Sequence, residues 1–149
     1  MITPETDNPS TSPPTKALAA PGVVIRDALY DLMPVSGPAV ALIGSPPFLR
    51  LDRIQQLGFV SRVWPGAKHT RYEHSLGVMH LTRLAVEHLA TLPEGAWIVA
   101  EDIRTIVAAA LLHDVGHYPF SHAIEELGPP ILTHEEVGWR RSSTVTRRI

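Results

Sequence analysis

An apolar run that ends in ionisable side chains constrains this chain more than any other feature. In Leu111-Leu112-His113-Asp114-Val115-Gly116-His117 an imidazole and a carboxylate stand side by side at the end of a helical apolar pattern, with a second imidazole just beyond. Burying such a pair without compensation is costly. A divalent metal ion compensates it economically, because neutral imidazole and carboxylate both offer lone pairs in directions that a helix can hold. A similar arrangement lies upstream in Arg71-Tyr72-Glu73-His74-Ser75-Leu76-Gly77-Val78, where His74 opens another apolar run. Together they predict a metal site built from two helices.

The rest of the chain is read around those two helices. Residues Met1 to Ala20 are rich in Pro, Ser and Thr and predict a disordered tail. Val23–Asp27 suits a short strand or a lead-in segment, and Asp27–Met33 a helical turn that Pro34 interrupts. Phe48, Leu51, Ile54 and Leu57 predict a helix that begins at Ser45-Pro46-Pro47 and ends at Gly58. The next helix starts near Thr70 or Arg71, with His74, Gly77, Val78, Leu81, Ala85 and Leu89 as its inward stripe. After Pro93-Glu94-Gly95, the acidic Glu101 and Asp102 favour a new helix start. Its inward stripe is Ile103, Ile106, Val107, Ala110, His113 and Asp114, with Gly116 as its end. A short helix is expected over Phe120–Leu127, and Thr133 with Glu136 forms a capping box for another. From Arg140 to Ile149 no helical apolar stripe remains.

Composition narrows the chemistry. The 149 residues suit one domain, 44% hydrophobic residues can supply a core, and a formal charge of −2 offers no broad basic field for nucleic acid. There is no cysteine, which removes disulfides, thiolate nucleophiles and cysteine-based zinc sites. A metal must therefore be held by His, Asp, Glu and water, a donor set that accepts Mn, Fe, Zn, Ni or Mg. The sequence contains neither a phosphate-binding P-loop nor an HxE…CxxC deaminase pattern. With no apolar stretch of membrane-spanning length and no signal-peptide pattern, the expected location is the cytoplasm.

Taken singly, the candidate residues also have ordinary readings. His74 suits a core histidine, and His113-Asp114 an exposed helix end. His117 and His122 suit loop positions around Tyr118-Pro119-Phe120-Ser121, and His134 a common helix start. Arg71 can bind phosphate through its guanidinium fork or pair with Glu73. His134 with Glu135 can act as a general acid with an orienting carboxylate.

Three motif blocks, in order, carry a resemblance that covers about Val23 to Val137. They are Ile43-Gly-Ser-Pro-Pro-Phe48-Leu-Arg50-Leu51-Asp-Arg-Ile54-Gln-Gln56-Leu57-Gly58, then Trp64-Pro65-Gly66-Ala67-Lys-His-Thr-Arg71-Tyr-Glu-His74-Ser-Leu-Gly77-Val78, then Leu112-His113-Asp114-Val-Gly116-His117-Tyr-Pro119-Phe120-Ser121-His122. On these blocks the chain resembles the HD-domain phosphohydrolases, and among them the deoxynucleoside triphosphate triphosphohydrolases. The resemblance implies an all-α helical bundle around a divalent metal ion, a nucleotide substrate, and a homo-oligomer in the complete protein. It places His74, His113 and Asp114 as metal ligands, and Gln56, Arg71, His117 and His122 at the nucleotide. His134, Glu135 and His117 fall at catalytic positions, with His134 as general acid. The implied reaction is hydrolysis at the α-phosphate, giving deoxynucleoside and inorganic triphosphate.

Two departures qualify the resemblance. The family completes its metal site with an aspartate on a later helix, and no Asp follows Asp114 here. The expected organisation is therefore a tail over 1–20, the N-terminal part of an HD domain over 21–139, and an exposed tail over 140–149, with the domain incomplete at its C-terminus. A glutamate or water would have to stand in for the missing ligand. Gly44, Leu49 and Asp52 occupy positions where regulated members often carry Asp, Gln and Arg, so the usual activation by an effector nucleotide is not expected. The alternatives are an HD hydrolase of another nucleotide phosphoester, or a catalytically silent nucleotide-binding or oligomerisation remnant.

Overall fold

A computed structural model of the chain describes residues 22–35, 37–120 and 122–146. The expected tail over 1–20 lies outside the described residues. The helices of the described part are joined by turns and accompanied by one antiparallel hairpin, β1 (Val23–Asp27) with β2 (Asp31–Val35), in which Val23 pairs with Val35 and Ile25 with Met33. The helices are α1 (Gly37–Ile43), α2 (Pro46–Leu49), α3 (Arg71–Leu89), α4 (Ala100–Leu112), α5 (His122–Glu125) and α6 (His134–Thr146).

The hairpin replaces the helical turn expected over Asp27–Met33. The Asp27 carboxylate accepts the N–H groups of Leu29 (2.7 Å) and Tyr30 (3.0 Å), and Asp31 adopts a left-handed φ of +58°, so the chain reverses at once. Pro34 is tolerated because each strand of a two-stranded sheet is an edge.

The helix expected from Phe48 to Leu57 is also corrected. α2 ends at Leu49, a 3₁₀ turn covers Arg50–Arg53, and Ile54 is already extended. Phe48, Leu51 and Ile54 are nonetheless all buried, while Leu57 is not. Their constant spacing of three matches the 3.0 residues per turn of a 3₁₀ helix, which keeps such side chains on one face. Phe48 is fully buried and packs edge-on against Tyr72, with ring centroids 5.3 Å apart. Phe48→Ala is expected to cost about 3–5 kcal/mol, read as a fall in the urea midpoint at unchanged slope.

α3 begins where the sequence placed it. Thr70 and Glu73 form a reciprocal capping box, with the Thr70 N–H donating to Glu73 Oε2 at 2.6 Å and the Glu73 N–H to Thr70 Oγ1 at 3.3 Å. The inward face is rotated from the expected stripe. Arg71, Ser75, Leu76, Gly77, Met79, His80 and Val86 are buried, so Gly77 of the expected stripe is covered, whereas Leu81 and Leu89 are about half exposed and Ala85 is exposed. The hairpin supplies a reason: Tyr30 lies over Gly77, where an added Cβ would meet the ring at 3.0 Å. On α4 the buried row is Ile103, Val107 and Leu111, and Ile106 points outward. α3 and α4 pack along each other and carry the centre of the core.

α4 stops at Leu112, before the expected end at Gly116. Turns carry the chain through His113–Gly116 to α5 and then α6. α6 starts at the expected box, with the Thr133 N–H donating to Glu136 Oε2 at 3.0 Å, and it runs on to Thr146. Helix therefore continues through Arg140, where the sequence pattern predicted an exposed tail.

His80 is buried under Tyr30, with ring centroids 5.3 Å apart, and its Nδ1 has no hydrogen-bond partner among the described residues. Burial pushes its pKa below the ordinary 6.5. Folding thus favours neutral His80. Its contribution is full above pH 6.5 and is lost as the pH falls through the lowered value. His80→Leu is expected to flatten this limb of the stability–pH curve in denaturation series.

Candidate metal centre

α3 and α4 bring two sequence-distant groups to one point. Asp114, two residues past the end of α4, is buried, and its oxygens face four side chains. Oδ2 accepts from Arg71 Nη1 at 2.6 Å and lies 3.8 Å from His74 Nε2. Oδ1 lies 3.2 Å from His113 Nε2 and 3.3 Å from His117 Nε2. Burial opposes ionisation of Asp114. The hydrogen bond from His117 and the positive field and hydrogen bond of Arg71 outweigh it and hold the carboxyl well below the usual carboxylate range. Burial pushes the His74 pKa down against the pull of Asp114, which favours the neutral imidazole that a metal requires.

The residues present fit a divalent ion. The ligand atoms of His74, His113 and Asp114 all lie within 4.8 Å of one another. The Ala110 carbonyl can only accept, so His113 Nδ1 donates to it at 2.8 Å, and this tautomer leaves the Nε2 lone pair turned toward Asp114. Asp114 is enclosed, but the side chains of His74 and His113 are 34% and 37% exposed, so the centre opens to solvent on the imidazole side. A cleft of about 470 Å³ between the hairpin and α3, lined by Tyr30, His69, Glu73 and His74 among others, reaches His74.

A second cluster adjoins the first. The ring of His117 stacks on that of His134, with centroids 3.9 Å apart and an interplanar angle of 10°. His134 Nδ1 lies 2.9 Å from Glu125 Oε1, and the same oxygen accepts the His134 backbone N–H at 2.8 Å. The ligand atoms of His117, Glu125 and His134 also fall within 4.8 Å of one another. Parallel rings send their in-plane lone pairs side by side rather than to a common point, so this cluster suits an ion less well than the first. Here the structure adds a residue that the sequence reading missed. Glu125, on α5, is the shielded carboxylate on His134, while Glu135 lies 3.2 Å from Nε2 and is largely exposed. Nothing in local sequence marks Glu125, which reaches His134 only through the fold of the chain between α5 and α6.

The remaining candidates are placed as follows. Arg71 is buried against Asp114 rather than paired with Glu73, whose carboxylate caps α3. Gln56 donates its backbone N–H to the His69 carbonyl at 3.1 Å, and its Oε1 is buried with no hydrogen-bond partner among the described residues. His122 opens α5, and its side chain lies outside the described residues.

A helical core with histidines and an aspartate converging from two packed helices defines a class of metal-centred helical proteins, and comparison with known proteins assigns the family. The family model described as "HD domain" matches residues 71–149, and the chain belongs to the HD domain family. It is 39% identical over 116 residues to the deoxynucleoside triphosphate triphosphohydrolase SAMHD1 of Homo sapiens, covering 78% of this chain and 18% of that protein. It is 36% identical over 118 residues to an uncharacterized protein of Methanocaldococcus jannaschii, covering 79% of this chain and 23% of that one. The crystal structure of a phosphohydrolase from Bacteroides thetaiotaomicron superposes with a TM-score of 0.77 at 34% identity, covering 85% of this chain and 31% of that one. The chain thus spans about a fifth of the length of the two relatives.

Proposed function

We propose that the chain forms the metal-holding part of a phosphohydrolase that acts on deoxynucleoside triphosphates, releasing deoxynucleoside and inorganic triphosphate. The observation that carries this reading is the convergence of His74, His113 and Asp114 on one point, with a guanidinium and a stacked histidine pair beside it. A divalent ion held by those three ligands would supply a polarising charge for a phosphoryl oxygen and for an attacking water.

The chain's own residues have separate tasks in this proposal. Arg71 sits where its fork can neutralise charge on a transferring phosphoryl group, in addition to orienting Asp114. His134, held at Nδ1 by Glu125, is oriented to deliver a proton from Nε2 to the departing sugar oxygen, with Glu135 near the same nitrogen. His117 links the two clusters by contacting Asp114 with Nε2 and His134 with its ring face. Gln56 and His122 complete the nucleotide side in the same proposal, which also places the complete protein in the cytoplasm as a homo-oligomer. No helix among the described residues is long and apolar enough to cross a membrane.

The test is product analysis. With manganese and a deoxynucleoside triphosphate, ³¹P spectroscopy is expected to show inorganic triphosphate, and His134→Ala to slow its release about 10²–10⁴-fold while metal stays bound. Monophosphate as the only phosphorus product from another nucleotide would replace the substrate assignment. Nucleotide binding at full metal occupancy without turnover would favour a silent binding module, a reading supported by a primary cluster of only three ligands among the described residues.

A further inference from the structure

The turn that carries Asp114 and His117 is held from outside. Within it, the Val115 N–H donates to the Leu112 carbonyl and the His117 N–H to the Asp114 carbonyl, each at 3.0 Å. The carbonyls of Val115 and His117 are taken by one side chain far away in sequence. Arg50, first residue of the 3₁₀ turn after α2, donates from Nη2 to Val115 O at 3.1 Å and to His117 O at 2.7 Å. Gly116, between these carbonyls, lies against the backbone of α6. The turn is thus fixed between a guanidinium and a helix. Burial and the neighbouring Arg141 guanidinium push the Arg50 pKa down, while Tyr118 pushes it up. A charged donor makes shorter and stronger bonds to a carbonyl than a neutral one.

We propose that Arg50 is a positioning residue of the metal centre: by bridging the carbonyls of Val115 and His117 it fixes the orientation in which Asp114 and His117 are presented, and so sets metal affinity without touching metal or substrate. This rests on the metal centre described above. Outer partners of metal ligands commonly change affinity about 10–100-fold when removed. Arg50→Met deletes both bonds. Arg50→Lys keeps the charge and donors but lacks the planar fork.

The experiment uses the full chain, with Co²⁺ as the probe and amide hydrogen exchange on the metal-free protein as a second readout. Arg50→Met is expected to speed exchange in the 113–118 turn about tenfold while α3 and α4 keep theirs. It should weaken Co²⁺ binding about 10–100-fold and alter the visible Co²⁺ bands, and Arg50→Lys should restore part of each. Val107→Ala, a buried change on α4, is the control for general destabilisation and is expected to keep the parent affinity. Unchanged exchange in the turn overturns the proposal, as does unchanged Co²⁺ affinity in Arg50→Met, or an equal loss in Val107→Ala. If the parent binds Co²⁺ and His74→Ala weakens it, any of these failures belongs to the Arg50 inference alone. A parent that binds no Co²⁺ overturns the metal-centre reading and this inference together.

Discussion

Asp114→Asn is expected to strip the chain of its divalent metal and to lower its stability by about 3–5 kcal/mol in the metal-free state. The two effects share a cause. Asp114 is the only carboxylate of the primary cluster, and its Oδ2 is the partner of Arg71 Nη1 at 2.6 Å in a place that water barely reaches. An amide has no charge to offer a cation, and it leaves the Arg71 guanidinium buried against a neutral group. Removing one member of a buried pair is much more damaging than replacing both. The double variant Arg71→Met with Asp114→Asn is therefore expected to regain part of the lost stability and none of the metal. Metal stoichiometry by elemental analysis and denaturant midpoints on the four chains of this cycle check both halves. Full metal occupancy in Asp114→Asn would remove Asp114 from the ligand set. A double variant no more stable than Asp114→Asn would show that the lost ion pair with Arg71 is not the cause of the loss.

The second large effect is expected from the smallest change. A Cβ added at Gly116 would sit 1.8 Å from the His134 carbonyl oxygen, 2.4 Å from the Gly138 nitrogen and 2.9 Å from the Gly138 Cα. All three are backbone atoms of α6, so no side-chain rotation relieves the contact. Either the turn or the helix must move. Overpacking of this kind costs about 1–3 kcal/mol, occasionally more, and here the upper end is expected because backbone must shift. The functional consequence is larger than the stability loss. Displacing the start of α6 separates His134 from His117 and from Glu125, which breaks the second cluster while leaving His74, His113 and Asp114 near one another. Gly116→Ala should thus keep metal binding, lose turnover, and show faster amide exchange confined to α6. Unchanged exchange in α6 together with an unchanged melting temperature would show that the close approach is absent in solution.

These two predictions separate what was legible in the residues from what was not. His74 and His113-Asp114 were legible as candidate ligands because they are ionisable groups inside apolar helical patterns, and such placement calls for compensation; the fold adds that their ligand atoms lie within 4.8 Å of one another. The capping box at Thr133 and the helix start near Thr70 were legible because helix starts are settled within four residues of chain. The inward faces of α3 and α4 were misread by part of a turn. A stripe of apolar residues says which side of a helix is greasy, but Tyr30 over Gly77 and the packing of α3 on α4 decide which part of it is covered. The turn at Asp27–Asp31 and the short 3₁₀ segment after α2 escaped for a related reason, since apolar spacing does not report a side chain capping its own turn.

The sequence by itself determined a cysteine-free chain whose helical apolar patterns carry ionisable groups at His74 and His113-Asp114, because helical periodicity and the cost of buried charge are local properties of the chain, and its three motif blocks carried the resemblance to the HD family. Only the tertiary structure decided that Arg71 faces Asp114 across 43 residues, that Glu125 rather than Glu135 shields His134, and that Arg50 and Gly116 hold the turn between the clusters. Those choices depend on how α2, α4, α5 and α6 meet, and the geometry of their meeting is a property of packed side chains and shared backbone hydrogen bonds rather than of any one segment.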